Sequence, residues 1–395
     1  MDEPGGLYIH IPFCTAKCHY CDFYSVAGRE EMIGRLVAAI IAEIALGDPA
    51  QAPRKIDTIF IGGGTPSLLT PGQLEAILKA VGDHFDLSGL AELTLEANPG
   101  EIAPGSLEAW RSLGINRLSM GFQSFQPDLL RFLGRLHSPE TSLAAFDAAR
   151  RAGFDNINAD LIFNVPGQSR EQWQSDLARL AEMEPEHISA YSLTVEPGTE
   201  LDRKVRQGEV AMPPQEMDRE MLIQTWEFLG AQGYAGYEVS NYARPGRQCR
   251  HNLHYWRIEP YHGFGPAAHR FDGAVRSWNI RHLDGYVERL EMGRSPLAGR
   301  ELLTAQERYN EKLAFGLRLR EGISVTAALG FEDERAFAGH YAELLDRWAE
   351  AVVLEQENLS LTRAGLLMAD AIAADFMALP PTDLFAAGVG ATEVA

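Results

Sequence analysis

Three of the chain's four cysteines crowd into eight residues near its start, in the string Tyr8-Ile-His-Ile-Pro-Phe-Cys14-Thr-Ala-Lys-Cys18-His-Tyr-Cys21. No further cysteine follows until Cys249. A disulfide framework spreads its cysteines along a short secreted chain, whereas clustered thiols in a reducing compartment read as metal ligands. Three thiolates at C-x3-C-x2-C spacing suit a [4Fe-4S] cubane in which one iron lacks a protein ligand. Such an iron can chelate the amino and carboxylate groups of S-adenosylmethionine (SAM), and cluster reduction can then cleave the sulfonium. The competing reading is structural zinc, with His10 or His19 as fourth ligand. Zinc sites of that kind pair two distant C-x2-C knuckles, and the second is missing here, so the spacing favours the cluster.

Around this motif the chain alternates short β-rich runs with longer amphipathic ones. The expected strands are Leu7 to Ile11, Ile56 to Ile61, Glu92 to Glu96, Arg117 to Phe122, Asn156 to Phe163 and His187 to Leu193. Each precedes a helical pattern, with Pro71, Pro104 and Pro214 placed where a first helical turn tolerates proline. Six β-α units imply right-handed crossovers and a parallel sheet, curled into a full or partial barrel or left open, with ligands at the C-terminal ends of the strands. After the second strand comes Ile61-Gly-Gly-Gly-Thr-Pro66, where Gly63, Gly64 and Thr65 let backbone N–H groups approach a ligand. Polar residues then mark the ends of later strands: Glu96 in LEANP, Gln123 in GFQSF and Asp160 in NADLIF, with Arg135 a helix beyond Gln123. Any one of them alone is more simply a loop cap or a surface residue.

The expected organisation is a barrel over 1–240, an Arg-, His- and aromatic-rich linker over 241–300, a helical module over 301–378 and a disordered tail over 379–395. The helix, helix, hairpin, helix order of the third part resembles a winged helix. A formal charge of −20 argues against nucleic acid as a partner. The exception is local, because Asn241 to Arg281 holds seven arginines against two acids, an excess of +5 that wants an anionic partner. The apolar stretch Leu36 to Leu46 is broken by Glu43 and too short to cross a bilayer, and the first residues show no secretory pattern. The expected location is the cytoplasm, with peripheral association at the inner membrane as a variant.

A C-x3-C-x2-C motif directly after the first strand of a β/α chain resembles the radical SAM superfamily. The fuller string YIHIPFC, with CDF following, resembles its coproporphyrinogen-dehydrogenase-like branch. The resemblance implies an α/β fold, a partial (β/α)6 TIM-like barrel with a mostly helical C-terminal domain. It implies Cys14, Cys18 and Cys21 as [4Fe-4S] ligands, with SAM contacts from Tyr8, Tyr20, Gly63, Gly64, Thr65, Glu96, Gln123, Arg135 and Asp160.

Two features sort the branch. Phe23 stands where the dehydrogenase typically carries a further cysteine. His251-Asn252-Leu253-His254-Tyr255-Trp256 reads H-N-x-x-Y-W, which resembles the signature of the HemW-type haem chaperones of this branch, whose histidine is implicated in holding haem. Four of eleven histidines (251, 254, 262, 269) fall within nineteen residues here, beside Tyr242, Tyr255, Trp256, Tyr261 and Phe264. Arg250 and Arg257 flank the motif as expected partners for propionates. The expectation is a haem chaperone with His251 on the iron, Cys249 as rival ligand and a zinc site of Cys249, His251 and His254 as the competing reading. Its expected partners are haem, an acceptor protein such as a membrane-associated respiratory protein, and an electron donor for the cluster. The alternatives are an oxygen-independent coproporphyrinogen III dehydrogenase and, disfavoured by charge, a radical SAM enzyme acting on RNA.

Overall fold

In a computed structural model the described residues are 4–47 and 54–381. The expected tail from 379 lies almost wholly outside them. Six parallel strands form the centre: β1 (Gly5–Ile11), β2 (Ile56–Gly63), β3 (Glu92–Ala97), β4 (Arg117–Gln123), β5 (Ile157–Phe163) and β6 (His187–Ser192). Their residues are buried on both faces almost throughout, as a sheet needs when helices cover one side and the barrel interior closes the other. The covering helices include α1 (Ile33–Leu46), α2 (Pro71–His84), α3 (Ser106–Ser112), α4 (Pro127–Leu133), α5 (Pro139–Arg151), α6 (Arg170–Glu182), α7 (Glu200–Arg206) and α8 (Gln215–Ala231). Thr70 and Ser169 start α2 and α6 with reciprocal capping boxes to Gln73 and Gln172. The seven-residue helices α4 and α7 escape the sequence pattern, being two turns long and without a repeated apolar stripe.

Beyond residue 231 the chain extends both edges of the same sheet. At one edge β7 (Ala235–Gly236), at the rim, pairs antiparallel with β8 (Asn241–Ala243), which adds antiparallel to β6. At the other, β9 (Tyr261–Phe264) lies parallel beside β1, and β10 (His269–Phe271), β11 (Val275–Asn279) and β12 (Leu297–Leu302) continue antiparallel, giving twelve strands. The short helix α9 (Arg250–Trp256) joins the two edges across the sheet, and α10 (Leu283–Glu291) packs on α1.

Glu43 fastens this extension to the barrel. Its buried carboxylate accepts the Gly265 N–H at 2.9 Å, Asn279 Nδ2 at 2.6 Å and the Tyr286 hydroxyl at 2.6 Å. Burial raises its pKa, and the donors oppose that rise. The charge that interrupts the apolar run of α1 is therefore the bolt between α1 and the added strands.

From α11 (Ala305–Gly316) onward a second apolar core forms around Leu313, Phe337, Tyr341, Leu359, Ile372 and Phe376. It holds α12 (Glu334–His340), α13 (Ala342–Arg347), α14 (Arg363–Leu366) and α15 (Ala369–Met377), with a hairpin of β14 (Val352–Glu355) and β15 (Asn358–Leu361) edged by β13 (Ile323–Ser324). Trp256 of α9 packs against Phe315, and Arg257 pairs with Glu321, so this part leans on the H-N-x-x-Y-W helix. Among the described residues no helix is long and apolar enough to cross a membrane.

Candidate functional site

The cysteine loop begins where β1 ends and is held on several sides. Phe13 and Cys14 pair with Val26 and Ala27, and Val26 donates its N–H to the Pro12 carbonyl. His19 donates its backbone N–H to the Leu133 carbonyl, its Nδ1 bonds the Phe132 carbonyl at 2.8 Å, and its own carbonyl accepts from Leu201. Those bonds tie the loop to α4 and α7. His10 is buried, with Nδ1 on the Tyr8 hydroxyl and Nε2 on the Tyr24 carbonyl, both at 2.9 Å, and burial lowers its pKa to about 4. Both histidines weighed as zinc ligands thus serve to brace the loop.

The three thiols are half-buried. Burial raises the pKa of Cys14 and lifts that of Cys21 to about 11, with the neighbouring thiolates adding to both. Left to themselves such groups stay protonated at neutral pH; a cationic iron centre is what would make them thiolates. A polar arc joins two of the sulfurs. Thr65 Oγ1 donates towards Cys14 Sγ at 3.7 Å and accepts from Asn98 Nδ2 at 2.9 Å. Asn98 Oδ1 in turn accepts from Arg135 Nη2, and Arg135 Nη1 lies 3.6 Å from Cys18 Sγ. Asn98 was not among the residues expected from sequence, although it stands two places after Glu96 in LEANP.

The glycine loop has a second task besides ligand approach. Gly64 donates to the Ile11 carbonyl at 2.8 Å and Thr65 to the Phe13 carbonyl at 2.6 Å. A Cβ on Gly64 would stand 2.5 Å from the Phe13 oxygen and 2.7 Å from the Pro12 carbonyl carbon. Gly63 takes φ +116°, where its N–H donates to Glu96 Oε2 at 3.0 Å. Bare backbone is thus needed where the two loops meet, one residue before Cys14.

Inside the barrel a cavity of about 320 Å³ is lined by Tyr8, Glu96, Arg117, Asn158, Asp160 and Tyr191, with Phe23 at its outer edge, 66% exposed. The strands alternate, so these residues share the inward face. Burial lifts the Glu96 carboxyl to about 7, against the Gly63 N–H and with help from the Asp160 charge; burial also raises Asp160, whose Oδ1 accepts from Asn158. Tyr20 is close enough to Arg135, Cys18 and Asp160 for their charges to act on it. Arg117 is buried, with Nε and Nη1 unpartnered. Gln123 ends β4 at φ 67°, a left-handed conformation that costs about 1 kcal/mol or more and accompanies a register shift of β4 against β5. Raised carboxyls and an orphaned guanidinium describe a polar chamber that a ligand carrying amino, carboxylate and hydroxyl groups would complete. The residues fit a [4Fe-4S] cluster with SAM beside it.

H-N-x-x-Y-W occupies α9, at the inner wall of this chamber. His251 is fully buried, Nδ1 bonded to Thr58 Oγ1 at 3.0 Å and Nε2 to the Tyr255 hydroxyl at 2.8 Å, its ring stacked on Phe60. Both nitrogens are spoken for, so iron ligation by His251 would break two buried hydrogen bonds. Cys249 is buried against Glu92, and His254 is clamped between Asp57 and Glu259. These three side chains turn to separate partners and do not converge on one ion. Four of the seven arginines of the local excess meet acids mostly distant in sequence: Arg244 meets Glu184, Arg247 meets Asp155, Arg257 meets Glu321 and Arg276 meets Glu311. Arg257 is therefore not waiting for a propionate.

Residues 8–180 match the model of the radical SAM superfamily. The protein "Heme chaperone HemW" of Mycobacterium tuberculosis is 38% identical over 379 residues, 94% of each chain, and that of Bacillus subtilis is 34% identical over 86% of this chain and 87% of its own. Among solved structures, coproporphyrinogen III oxidase (HemN) of Escherichia coli, described as a radical SAM enzyme, aligns with TM-score 0.82 at 25% identity, covering 96% of this chain and 91% of that one. At this identity and coverage the chain belongs to the HemW family within the radical SAM superfamily.

Proposed function

We propose that this protein is a haem chaperone that takes up haem and passes it to an acceptor protein, with a [4Fe-4S] cluster on Cys14, Cys18 and Cys21 and SAM at the C-terminal ends of the strands. The observation that carries this reading is the near full-length identity to relatives named as haem chaperones. In this reading the Gly63 to Thr65 loop, Glu96, Gln123, Arg135 and Asp160 orient SAM, and Tyr8 and Tyr20 close around it. When bound, cluster and SAM would supply one-electron chemistry. The residues of this chain bind and orient them, keep two buried carboxyls raised above their usual range and seal the chamber from below with α9.

The aligned oxidase supports a second reading, oxidative decarboxylation of coproporphyrinogen III. Phe23 stands against it on sequence grounds. One anaerobic reconstitution separates the two. The expected result is haem uptake, transfer to a haem-free acceptor and no decarboxylated porphyrinogen, with the cluster's absorbance lost in Cys14→Ala, Cys18→Ala or Cys21→Ala and kept in Cys249→Ala. Porphyrinogen turnover without haem uptake would replace the first reading by the second.

A further inference from the structure

A second, larger cavity of about 750 Å³ opens beside the barrel, between the C-terminal ends of α1 and α2 and the added strands β9 to β12. It lies at the end of the sheet away from the cysteines: residue 86, just past α2, pairs with Lys55 immediately before β2, whereas Cys14 follows the far end of β1. Seven strand residues at roughly 3.3 Å each set the two ends about 20 Å apart. Its size lies within the roughly 300–1,000 Å³ usual for small-molecule sites.

The lining is aromatic with a cationic edge. Phe85 and Phe264 frame the buried His262, at ring distances of 4.8 and 6.2 Å, and Phe271 adds a further buried ring. Arg270 reaches in from β10, its Nη2 donating to Asn279 Oδ1 at 2.8 Å and lying 3.6 Å from the Glu43 carboxylate, with its buried Nε left without a partner. Arg300 stands exposed on β12. The acids among the described residues that line the cavity are already engaged. Glu43 is held by the donors described above, Asp83 pairs with Lys79 at 2.5 Å, and Asp272 accepts the N–H groups of Ala274 and Val275. With Arg270 set against Glu43 at 3.6 Å, the positive charge left at the cavity's edge for a ligand is that of the exposed Arg300.

His84 completes the site. It is the last residue of α2 and exposed at the cavity, and its Nδ1 bonds the Ala80 carbonyl at 2.8 Å. That bond places the proton on Nδ1 and turns the Nε2 lone pair outward, the tautomer an axial imidazole needs. The carbonyl end of a fourteen-residue helix also favours a cation there.

Resting on the haem reading above, we infer that haem is held in this side cavity, with His84 Nε2 on the iron and the exposed Arg300 meeting a propionate. The porphyrin lies against the Phe85 and Phe264 walls, remote from the cluster. Two of the contributing side chains, Phe264 and Phe271, come from the 241–281 segment to which sequence assigned haem; the ligand does not.

The test is haemin titration of the full-length, cluster-reconstituted protein, with folding checked by circular dichroism. His84→Ala should move the Soret band and weaken haemin binding by roughly tenfold or more, with added imidazole restoring the spectrum. Arg300→Glu should weaken binding without moving the band. Wild-type haem uptake that His84→Ala leaves unchanged in spectrum and affinity would overturn the site while sparing the haem reading. A folded wild-type protein that takes up no haem would sink the haem reading, and the site with it.

Discussion

The second histidine of H-N-L-H-Y-W makes a measurable demand on stability. His254 Nε2 lies 2.8 Å from Asp57 and its Nδ1 2.6 Å from Glu259, joining α9 to the start of β2. Burial alone would lower its pKa, but the two carboxylates outweigh burial and raise it from 6.5 to about 9. Between those values the folded protein holds a proton that the unfolded chain releases, so the stabilisation is complete below pH 6.5 and is lost as pH rises through about 9. The full shift corresponds to about 3 kcal/mol. Solvent at Glu259, which is 37% exposed, reduces this to about 2 kcal/mol. Denaturant unfolding followed from about pH 6.5 to about pH 9.5 reads it, as the difference between wild type and His254→Gln, which cancels other titrations including the thiols. The difference should shrink by about 2 kcal/mol across that range, and Asp57→Asn should remove roughly half of the dependence. If His254→Gln keeps the wild-type pH profile, the clamp is not charged and the argument fails.

Other outcomes follow from the same geometry. Gly64→Val should cost the cluster as well as SAM binding, seen as lost iron-sulfur absorbance after reconstitution, because its side chain meets the Phe13 and Pro12 carbonyls one residue before Cys14; cluster retention with loss of SAM binding alone would contradict this. Thr65→Val should make the cluster's midpoint potential more negative in a redox titration, since the hydroxyl facing the Cys14 sulfur is lost, and Asn98→Ala, removing an amide that only positions Thr65 and Arg135, should shift it the same way by less. Glu43→Ala should cost about 3–5 kcal/mol in unfolding, since Arg270 loses its acidic neighbour and Asn279, Tyr286 and the Gly265 N–H lose their acceptor together.

The features legible in sequence were those whose determinants are local. Strands buried on both faces read as continuous apolar runs, so six of them stand out within a residue or two of their observed ends. The cysteine spacing is likewise a property of eight neighbouring residues. What escaped depends on distant partners. Strands β9 to β12 are short, and β9 exists because β1 leaves an edge for it. Arg117 and Asn158 read as ordinary polar residues opening strands, and only the barrel's curvature turns both into one chamber. The arginine excess of the 241–281 segment looked like an open anion site because its acids, Glu184, Asp155, Glu321 and Glu311, lie elsewhere in the chain.

The H-N-x-x-Y-W helix shows why a motif can be required without touching its ligand. His251 satisfies Thr58, 193 residues away, and the same Tyr255 that holds its other nitrogen packs edge-on against Tyr261 at 4.7 Å. Tyr261 lines the outer cavity, while His251, Asn252 and Tyr255 line the inner one. Removing His251 would leave Thr58 and Tyr255 with lost partners in a buried wall common to both cavities, and each unmet group costs about 1–3 kcal/mol. Loss of haem uptake on changing His251 would therefore follow whether or not its imidazole reaches iron. Coordination is the property that separates the cases: if His251 only positions the wall, haem that still binds to a His251 variant keeps the wild-type Soret band, whereas the loss of an iron ligand shifts it.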